Sequence, residues 1–493
     1  MENSVTTYTV QELVDLGFLA KPLDGNHGGI HPKSSDFVES GIPFVMASDL
    51  KNGGVDTNNC KFISLEQSKT LRKGFAKEGD ILLSHKATIG RTAIVGEIES
   101  EYIVLTPQVT YYRVLDKTKI NPKYLKYYFD SIEFQSLFEQ WAGGGSTRLY
   151  LGITGQMKLP IKLPHINTQN WIADNIDSFD LKLLLNRKTN QTLEQMAQAL
   201  FKSWFVDFDP IFDNALASGM AVNDFHEALQ KKALARQQQR QQVQQQIANG
   251  EPSAGKELEA KPLPENISQL FPSEFEQTDE PSIGINGWIP KGWENGTLSS
   301  VAEAISGYAF KSKDFTDEGE SVIKIKNIKA DRTVDLNDVQ KVPKTIADEA
   351  SKFYLEDGDL IMAMTGATVG KFGVVVSHNS ERLLLNQRVC KLSMSDVSSN
   401  AFLYIFLSKP GVEEGILSAA QGSAQPNISA KEILMTSLLV PSKELIIEFS
   451  HIYQPFLEKI IAARKQSKEL EKLRDTLLPK LISGELTINK DIA

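Results

Sequence analysis

The sequence predicts an α+β chain: two mainly β domains joined by two long antiparallel coiled-coil helices, with cyclic internal pseudo-symmetry. Three observations lead there. The chain repeats itself at an offset of 277 to 280 residues. Each copy begins with short β-type runs split by Gly- and Asn-rich turns. Each copy ends in a tract whose apolar residues recur at alternating steps of four and three.

The repeat is read from matched segments. Gly29-Ile-His-Pro-Lys33-Ser34-Ser-Asp36-Phe37 aligns with Gly307-Tyr-Ala-Phe-Lys311-Ser312-Lys-Asp314-Phe315. Gly79-Asp80-Ile81-Leu82 aligns with Gly358-Asp359-Leu360-Ile361, and Ala87-Thr88-Ile89-Gly90-Arg91 with Ala367-Thr368-Val369-Gly370-Lys371. Gln108 aligns with Gln387, Gly145-Ser146 with Gly422-Ser423, Arg187-Lys188 with Arg464-Lys465 and Leu193-Glu194 with Leu470-Glu471. Matches that keep their order over most of both halves point to a duplication.

The predicted strands are 42–46, 81–84 and 103–112 in the first copy, and 322–328, 360–364 and 372–376 in the second. In the first helical tract the seam is Ile172, Ile176, Phe179, Leu183, Leu193, Ala197, Leu200 and Trp204, with Asn186 and Asn190 in the remaining slots. The second tract repeats it at Phe449, Tyr453, Phe456, Ile460, Ala463, Ser467, Leu470, Leu477 and Leu481, with Arg474 in the open slot. Pro455 and Pro479 are expected to kink or end this copy. The two asparagines are either polar seam positions that fix register or the mark of a wet, loosely packed stretch. Residues 211–290 have no counterpart. There, 221–247 could form a polar, Gln-rich helix, and the rest reads as an extended acidic tether.

Composition narrows the function classes. The 493 residues are too many for one ordinary core, and 41% hydrophobic with 23% charged residues is usual for a globular protein. Two cysteines, Cys60 and Cys390, stand far apart and read as unpaired thiols. The first residues show no basic-then-apolar leader pattern, and no apolar run reaches the roughly 18 residues of a membrane span, so a cytoplasmic location is expected. The net charge of −9 argues against a nucleic-acid binder. However, residues 250–290 hold eight acids and two bases, which concentrates the acidity in the unmatched segment.

The whole layout resembles the specificity subunit of type I restriction-modification enzymes. The G-D-[IL] strand, the [AG]-T-x-G-[RK] turn, the later Gln strand and the Leu-Pro step into a helix look like that family's target recognition domains. Ala199-Leu-Phe-Lys-Ser-Trp204-Phe-Val-Asp-Phe-Asp209-Pro210 looks like the end of its central helix, and Arg474-Asp-Thr-Leu-Leu-Pro479-Lys-Leu-Ile-Ser-Gly484-Glu485-Leu like the end of its distal helix. The resemblance divides the chain into a first target recognition domain at 1–164, a central conserved helix at 165–210, a Gln-rich helix with acidic linker at 211–290, a second recognition domain at 291–441 and a C-terminal conserved helix at 442–493. It implies that each domain reads one half of a split, asymmetric double-stranded DNA site. It also implies that the helices space the domains and dock two methyltransferase (modification) subunits, and that restriction (motor-nuclease) subunits join. S-adenosylmethionine, ATP and Mg would serve those partners, with no cofactor bound by this chain.

A search for chemistry in the chain itself gives no catalytic residue. No Pro-Pro-aromatic segment of an amino-methyltransferase is present. Gly366-Ala-Thr-Val-Gly370-Lys371-Phe372 has three residues between its glycines where a phosphate loop needs four, and Phe follows the Lys. His27 and His31 sit four apart without a third ligand nearby, so no metal site is expected. Asp80 and Asp359 lack the second acid of a nuclease centre and read as turn-formers. The rival functions are a coiled-coil scaffold that binds RNA or protein without DNA sequence specificity, and an independent nuclease or methyltransferase.

Base edges are read by Arg or Lys on guanine and by Asn or Gln on adenine, while phosphates are held by Lys, Arg, Ser, Thr and backbone amides. The candidates in the first domain are Lys33, Ser34, Lys86, Thr88, Arg91, Gln108, Arg148 and Tyr150. In the second they are Lys311, Ser312, Thr365, Thr368, Lys371, Gln387, Arg388, Gln425 and Asn427. Any one of them could instead be a solvated surface side chain, and Gln108 and Gln387 could be buried amides that tie loops together.

Overall fold

The computed structural model describes residues 5–143, 149–249, 263–377, 381–420 and 426–486. The chain forms two compact units: Met1–Leu184 with Lys468–Ala493, and Leu185–Ser467. Each unit holds one β module and one stretch of each long helix.

In the first unit, Thr6–Thr9 pairs antiparallel with Pro160–Leu163, so the module closes on itself just before the central helix begins. One sheet runs in the order Phe37–Val38, Lys61–Ile63, Ile42–Val45, Ile103–Leu105, Phe75–Ala76, with a parallel pair at Ile42–Val45 and Ile103–Leu105. A second has Val109–Tyr112, Ile81–Lys86 and Thr88–Ile94 as neighbours. Helices Pro122–Asp130 and Ile132–Ala142 are capped by Asn121 and Ser131 and bury Tyr128, Phe129, Phe134 and Phe138 in the module core.

The second unit repeats this plan. Glu294–Thr297 pairs with Ser437–Val440. One sheet runs Gln340–Val342, Glu320–Ile323, Leu383–Leu385, Tyr354–Leu355, again with a parallel central pair. The other has Val389–Met394, Leu360–Ala363 and Phe372–Val374 as neighbours. Two β modules that share a core strand order, each followed by a long helix, make the α+β architecture.

Several sequence-based strands are shorter than expected, because turns closed by a side chain or by the backbone end them. The run 322–328 stops after Ile323, because the Asn327 side chain accepts from the Lys324 N–H at 2.9 Å and turns the chain into a 3-10 turn. The same device follows Ile42–Val45, where the Asp49 carboxylate accepts from the Met46 N–H at 2.8 Å. The run 103–112 divides at Thr106, whose carbonyl accepts the Val109 N–H. Matching turns correct the alignment too. A Cβ on Gly25 would lie 2.0 Å from the Leu105 oxygen and one on Gly307 would lie 2.2 Å from the Leu385 oxygen. Gly25 is therefore the counterpart of Gly307, in place of Gly29.

The central helix is Ile166–Phe205 and the distal helix Lys443–Ser483. In the second unit Trp204 meets Phe449 at 5.7 Å and Asn186 meets Ala463 and Gln466, and in the first unit Asp180 meets Arg474. Numbers fall along one helix as they rise along the other, so the pairing is antiparallel. Pro455 does not break the distal helix. Its ring is on the exposed face, where water can reach the carbonyl left without an N–H partner, and Tyr453, Leu457 and Ile460 stay buried around it. Pro479 likewise lies inside the helix. Asn186 is buried and donates to the Ala463 carbonyl, Gln466 and Ser467 at 3.0 to 3.3 Å, which is the register-fixing behaviour. Asn190 is half-buried, and its Oδ1 has no partner among the described residues.

The segment 211–290 is largely folded, not an extended tether. Helices Asp209–Ala217 and Glu227–Ala248 pack together, with the buried Arg236 guanidinium bidentate on Asp213 at 2.8 and 2.9 Å. Phe212, Phe225 and Phe275 cluster at 4.8 to 6.4 Å, and Trp288 stacks on His226. These aromatics, at about 1.5–3 kcal/mol for each fully buried side chain, supply the apolar area that a charge count overlooks. The acidic stretch 250–262 lies outside the described residues.

A carboxylate of the central helix holds each module. In the first unit Asp180 accepts from the Tyr127 hydroxyl at 3.0 Å, Lys126 at 3.4 Å and Arg474 of the distal helix at 2.9 Å. Burial alone would raise the Asp180 pKa, but these partners outweigh it and hold the carboxyl below its usual range. In the second unit Glu194 accepts from the Tyr404 hydroxyl at 2.6 Å, Arg332 at 3.1 Å and Arg464 of the distal helix at 3.3 Å. Replacing Glu194 by Ala leaves two part-buried guanidiniums and a buried hydroxyl short of an acceptor. The expected loss is on the order of 2–3 kcal/mol, read as a fall in the thermal midpoint, with Glu194→Gln losing less.

Candidate nucleic-acid interface

In the first module the strand Ile81–Lys86 ends in a tight hairpin at Ala87, whose φ of 67° is unusual for a residue with a side chain. Ala87 donates its N–H to the Leu149 carbonyl, and Lys86 and Tyr150 form a β-bridge. Exposed Tyr150 has the Lys86 Nζ 5.9 Å from its ring centre and the His85 ring at 5.7 Å. The His85 N–H donates to the Gln108 carbonyl at 2.9 Å. Lys86, Thr88, Gln108 and Tyr150 thus surround one sheet end. Arg91 reaches toward the turn after Ile42–Val45 and donates to the Ala47 carbonyl at 3.1 Å. Lys33 and Ser34 are exposed on a separate turn, where Asp36 accepts the Lys33 N–H. Arg148 lies outside the described residues.

The second module matches this hydrogen bond for hydrogen bond. Gly366 donates to the Pro426 carbonyl, Thr365 bridges Asn427, and Met364 donates to the Arg388 carbonyl at 3.0 Å. Thr365 and Thr368 both have a buried hydroxyl with no partner among the described residues. Arg388, in place of Gln387, is therefore the counterpart of Gln108. The one-residue slip arises because Gln387 fills the turn position of Pro107, its N–H bonded to the Tyr308 carbonyl. Neither Gln108 nor Gln387 makes a side-chain hydrogen bond among the described residues, and Gln387 is exposed, so neither is a buried amide that ties loops together. Lys311 and Ser312 repeat the exposed Asp-capped turn. Lys371 is set apart. It lines a cleft of about 190 Å³ with Lys329, Arg332, Lys409 and Glu413. Gln425 lies outside the described residues.

Sequence reasoning missed Lys324 and Lys326. Lys324 lies over the Phe315 ring at 3.7 Å and donates to Gln340. Burial first, then the charges of Lys326 and Arg388, depress its pKa. The available signal was a residue with Asp or Asn three places later, after a strand, in both copies: Met46 with Asp49 and Lys324 with Asn327.

The acids weighed for catalysis are occupied structurally. Asp80 accepts from the Lys77 N–H and pairs bidentately with Arg113, and Asp359 accepts from the Glu356 N–H and pairs with Lys391. His27 bonds Asp24 at 2.8 Å, while His31 packs against Phe44 at 5.6 Å. No group of three or more His, Cys, Asp and Glu suited to a metal occurs among the described residues. Nor is any described helix long and apolar enough to cross a membrane. Burial pushes the Cys390 thiol up to about 12 and the Cys60 thiol to about 11, so both stay protonated.

The profile of the type I restriction modification DNA specificity domain matches residues 11–195 and again 290–472. The chain belongs to that family. This specificity subunit is 29% identical over 454 residues to the type I restriction enzyme HindI specificity subunit of Haemophilus influenzae, covering 90% of this chain and 94% of the relative. It is 23% identical over 494 residues to the MjaIX specificity subunit of Methanocaldococcus jannaschii, covering 98% and 94%. A crystal structure of the S subunit from M. genitalium shares the fold at a TM-score of 0.53 and 14% identity, over 97% of this chain and 96% of that one. Each of the two β modules described above thus lies within one matched DNA specificity domain.

His85 gives this face a pH dependence. It is fully buried, its ring nitrogens lack hydrogen bonds among the described residues, and the nearest carboxylate oxygen, on Asp24, is 3.9 Å away. Burial pulls its pKa down to about 4. A histidine depressed from its ordinary value near 6.5 contributes stability that is present above pH 6.5 and lost as pH falls toward 4. At pH 5 the loss is on the order of 2 kcal/mol. His85→Met, which installs the residue at the matched position of the second module, should flatten the fall in thermal midpoint between pH 7 and pH 5.

Proposed function

We propose that this specificity subunit reads an asymmetric DNA site in two short, unlike parts, one per β module. The bases between the parts are not read. The observation that carries the reading is the repetition: one scaffold, matched twice by the family profile, presents different side chains at matched positions. The two long helices set the interval. Forty residues of central helix, at about 1.5 Å each, span roughly 60 Å, against about 34 Å for one turn of DNA.

In the same proposal the helices dock two methyltransferase subunits, and restriction subunits complete the assembly. Exposed apolar side chains on the central helix support this: Trp171, Leu181 and Leu184 in the first unit, and Leu185 and Met196 in the second. S-adenosylmethionine, ATP and Mg act in those partners. The chain chooses the site and the partners do the chemistry.

Replacing residues 1–164 with the first module of another family member should change one half-site and leave the other intact, as read by selection from random duplex DNA. A concerted change of both halves would sink the modular reading. Inserting one heptad into each helix, beside Asn190 and beside Ala463, should lengthen the unread spacer by about three base pairs, since seven residues add roughly 10 Å. Both half-sites should keep their bases. Affinity should also fall steeply with salt, with a log–log slope of about −0.9 per phosphate contacted. A flat profile would favour a scaffold without DNA binding.

A further inference from the structure

The two modules can be superposed residue by residue through their hydrogen bonds, and this gives matched reading positions that the sequence repeat misaligns. The Val45 carbonyl accepts from Thr106 at 3.0 Å, as the Ile323 carbonyl accepts from Asn386 at 3.2 Å. The next residues, Met46 and Lys324, both give their N–H to the side chain three places on. His85 donates to Gln108 as Met364 donates to Arg388. Met46 is therefore matched to Lys324, and Gln108 to Arg388, on backbones of the same course.

The chemistry at these two positions is opposite. The first module offers a thioether and an amide, both half-buried. The second offers two cations. No carboxylate lies within ion-pair distance of Lys324 or Arg388 among the described residues, and Lys326 stands close enough to add its charge. Lys326 is paired to Asp338 at 2.6 Å, whereas Lys324 is held by the Phe315 ring and Gln340. Like charges crowded at a free surface are unfavourable until an acceptor-rich ligand arrives. A lysine fixed in place before binding loses little freedom when it meets a base edge. A swinging surface lysine suits a phosphate better.

In the major groove guanine presents O6 and N7 as paired acceptors, which suit Lys and Arg. Adenine presents an acceptor and a donor, which suit a Gln amide, and thymine presents a methyl, which suits an apolar side chain. Resting on the reading of the chain as a two-part DNA reader, we propose that Lys324 and Arg388 read a G·C pair in the second half-site, and that the matched Met46 and Gln108 read an A·T pair in the first. Arg91, beside Met46 but tied to the Ala47 carbonyl at 3.1 Å, serves as a phosphate contact in this scheme.

The test is selection from random duplex DNA with the full chain, followed by competition binding on single-base variants of the selected site. The wild-type chain should enrich two half-sites. Arg388→Gln, and more fully Lys324→Met with Arg388→Gln, should weaken the guanine preference at one position of one half-site by roughly 5- to 150-fold and move it toward A·T. The other half-site should be unchanged, which also reports that the variant is folded. Met46→Lys with Gln108→Arg should move one position of the first half-site toward G·C. Enrichment of no sequence by the wild-type chain would refute the two-part reading itself. Two half-sites in the wild type, with every base preference intact in Arg388→Gln, would overturn this inference alone. Uniformly weaker binding without a changed preference would also overturn it, since the cations would then hold phosphates. If the double variant binds nothing, the exposed Arg388→Gln substitution decides.

Discussion

A half-buried carboxylate on the central helix, shared between a tyrosine of a β module and an arginine of the distal helix, is the constraint that ties each β module to the helices. Asp180 does this with Tyr127 and Arg474, and Glu194 with Tyr404 and Arg464. The two acids are fourteen residues apart, two heptads, so they fall at equivalent places on the seam. Each knot joins three elements that are distant in sequence. An acid without its arginine would be an unpaired charge in a partly dry setting, so the knot forms completely or costs stability. Its directional bonds orient a module against its helices in a way apolar packing does not.

On that support both modules use one economical device. A turn is fixed where an Asp or Asn side chain takes the backbone N–H three residues earlier, at Asp36, Asp49 and Asp80 in one copy and Asp314, Asn327 and Asp359 in the other. The turn is thereby fixed by a side chain pointing inward, and the neighbouring positions are free to vary outward. Met46 and Lys324, or Lys86 and Thr365, differ without disturbing the backbone. Such a scaffold separates the residues that form its turns from positions that are free to vary.

The net charge of −9 is unevenly spread along the chain, with eight acids and two bases between residues 250 and 290. In and beside the unmatched segment, Asp207 pairs with Lys202 and Lys232, Asp213 with Arg236 and Glu274 with Lys291. The cations at the matched strand ends, Lys86 on Tyr150 and Lys324 on Phe315, rest on rings and have no carboxylate partner among the described residues. Aromatic faces hold a cation in place without cancelling its charge.

The sequence by itself determined the duplication, the α+β class and the two helices. These are periodic features, and the heptad steps from Ile172 to Trp204 or the G-D-[IL] strand starts at Asp80 and Asp359 survive in the order of residues alone. It also placed Lys86, Thr88, Gln108, Thr365 and Arg388 near the loops at the strand ends, because polar residues in turns between β runs have few other places to be. Only the tertiary structure decided that Arg388 rather than Gln387 matches Gln108, that Lys371 faces a different cleft, that Lys324 belongs to the face, and that the segment after Phe208 folds onto aromatics. Each of these rests on a contact or a cleft that the residue makes outside its own turn or strand. A one-residue slip in a turn leaves the composition of a motif unchanged while it moves every following side chain to the other face of its strand.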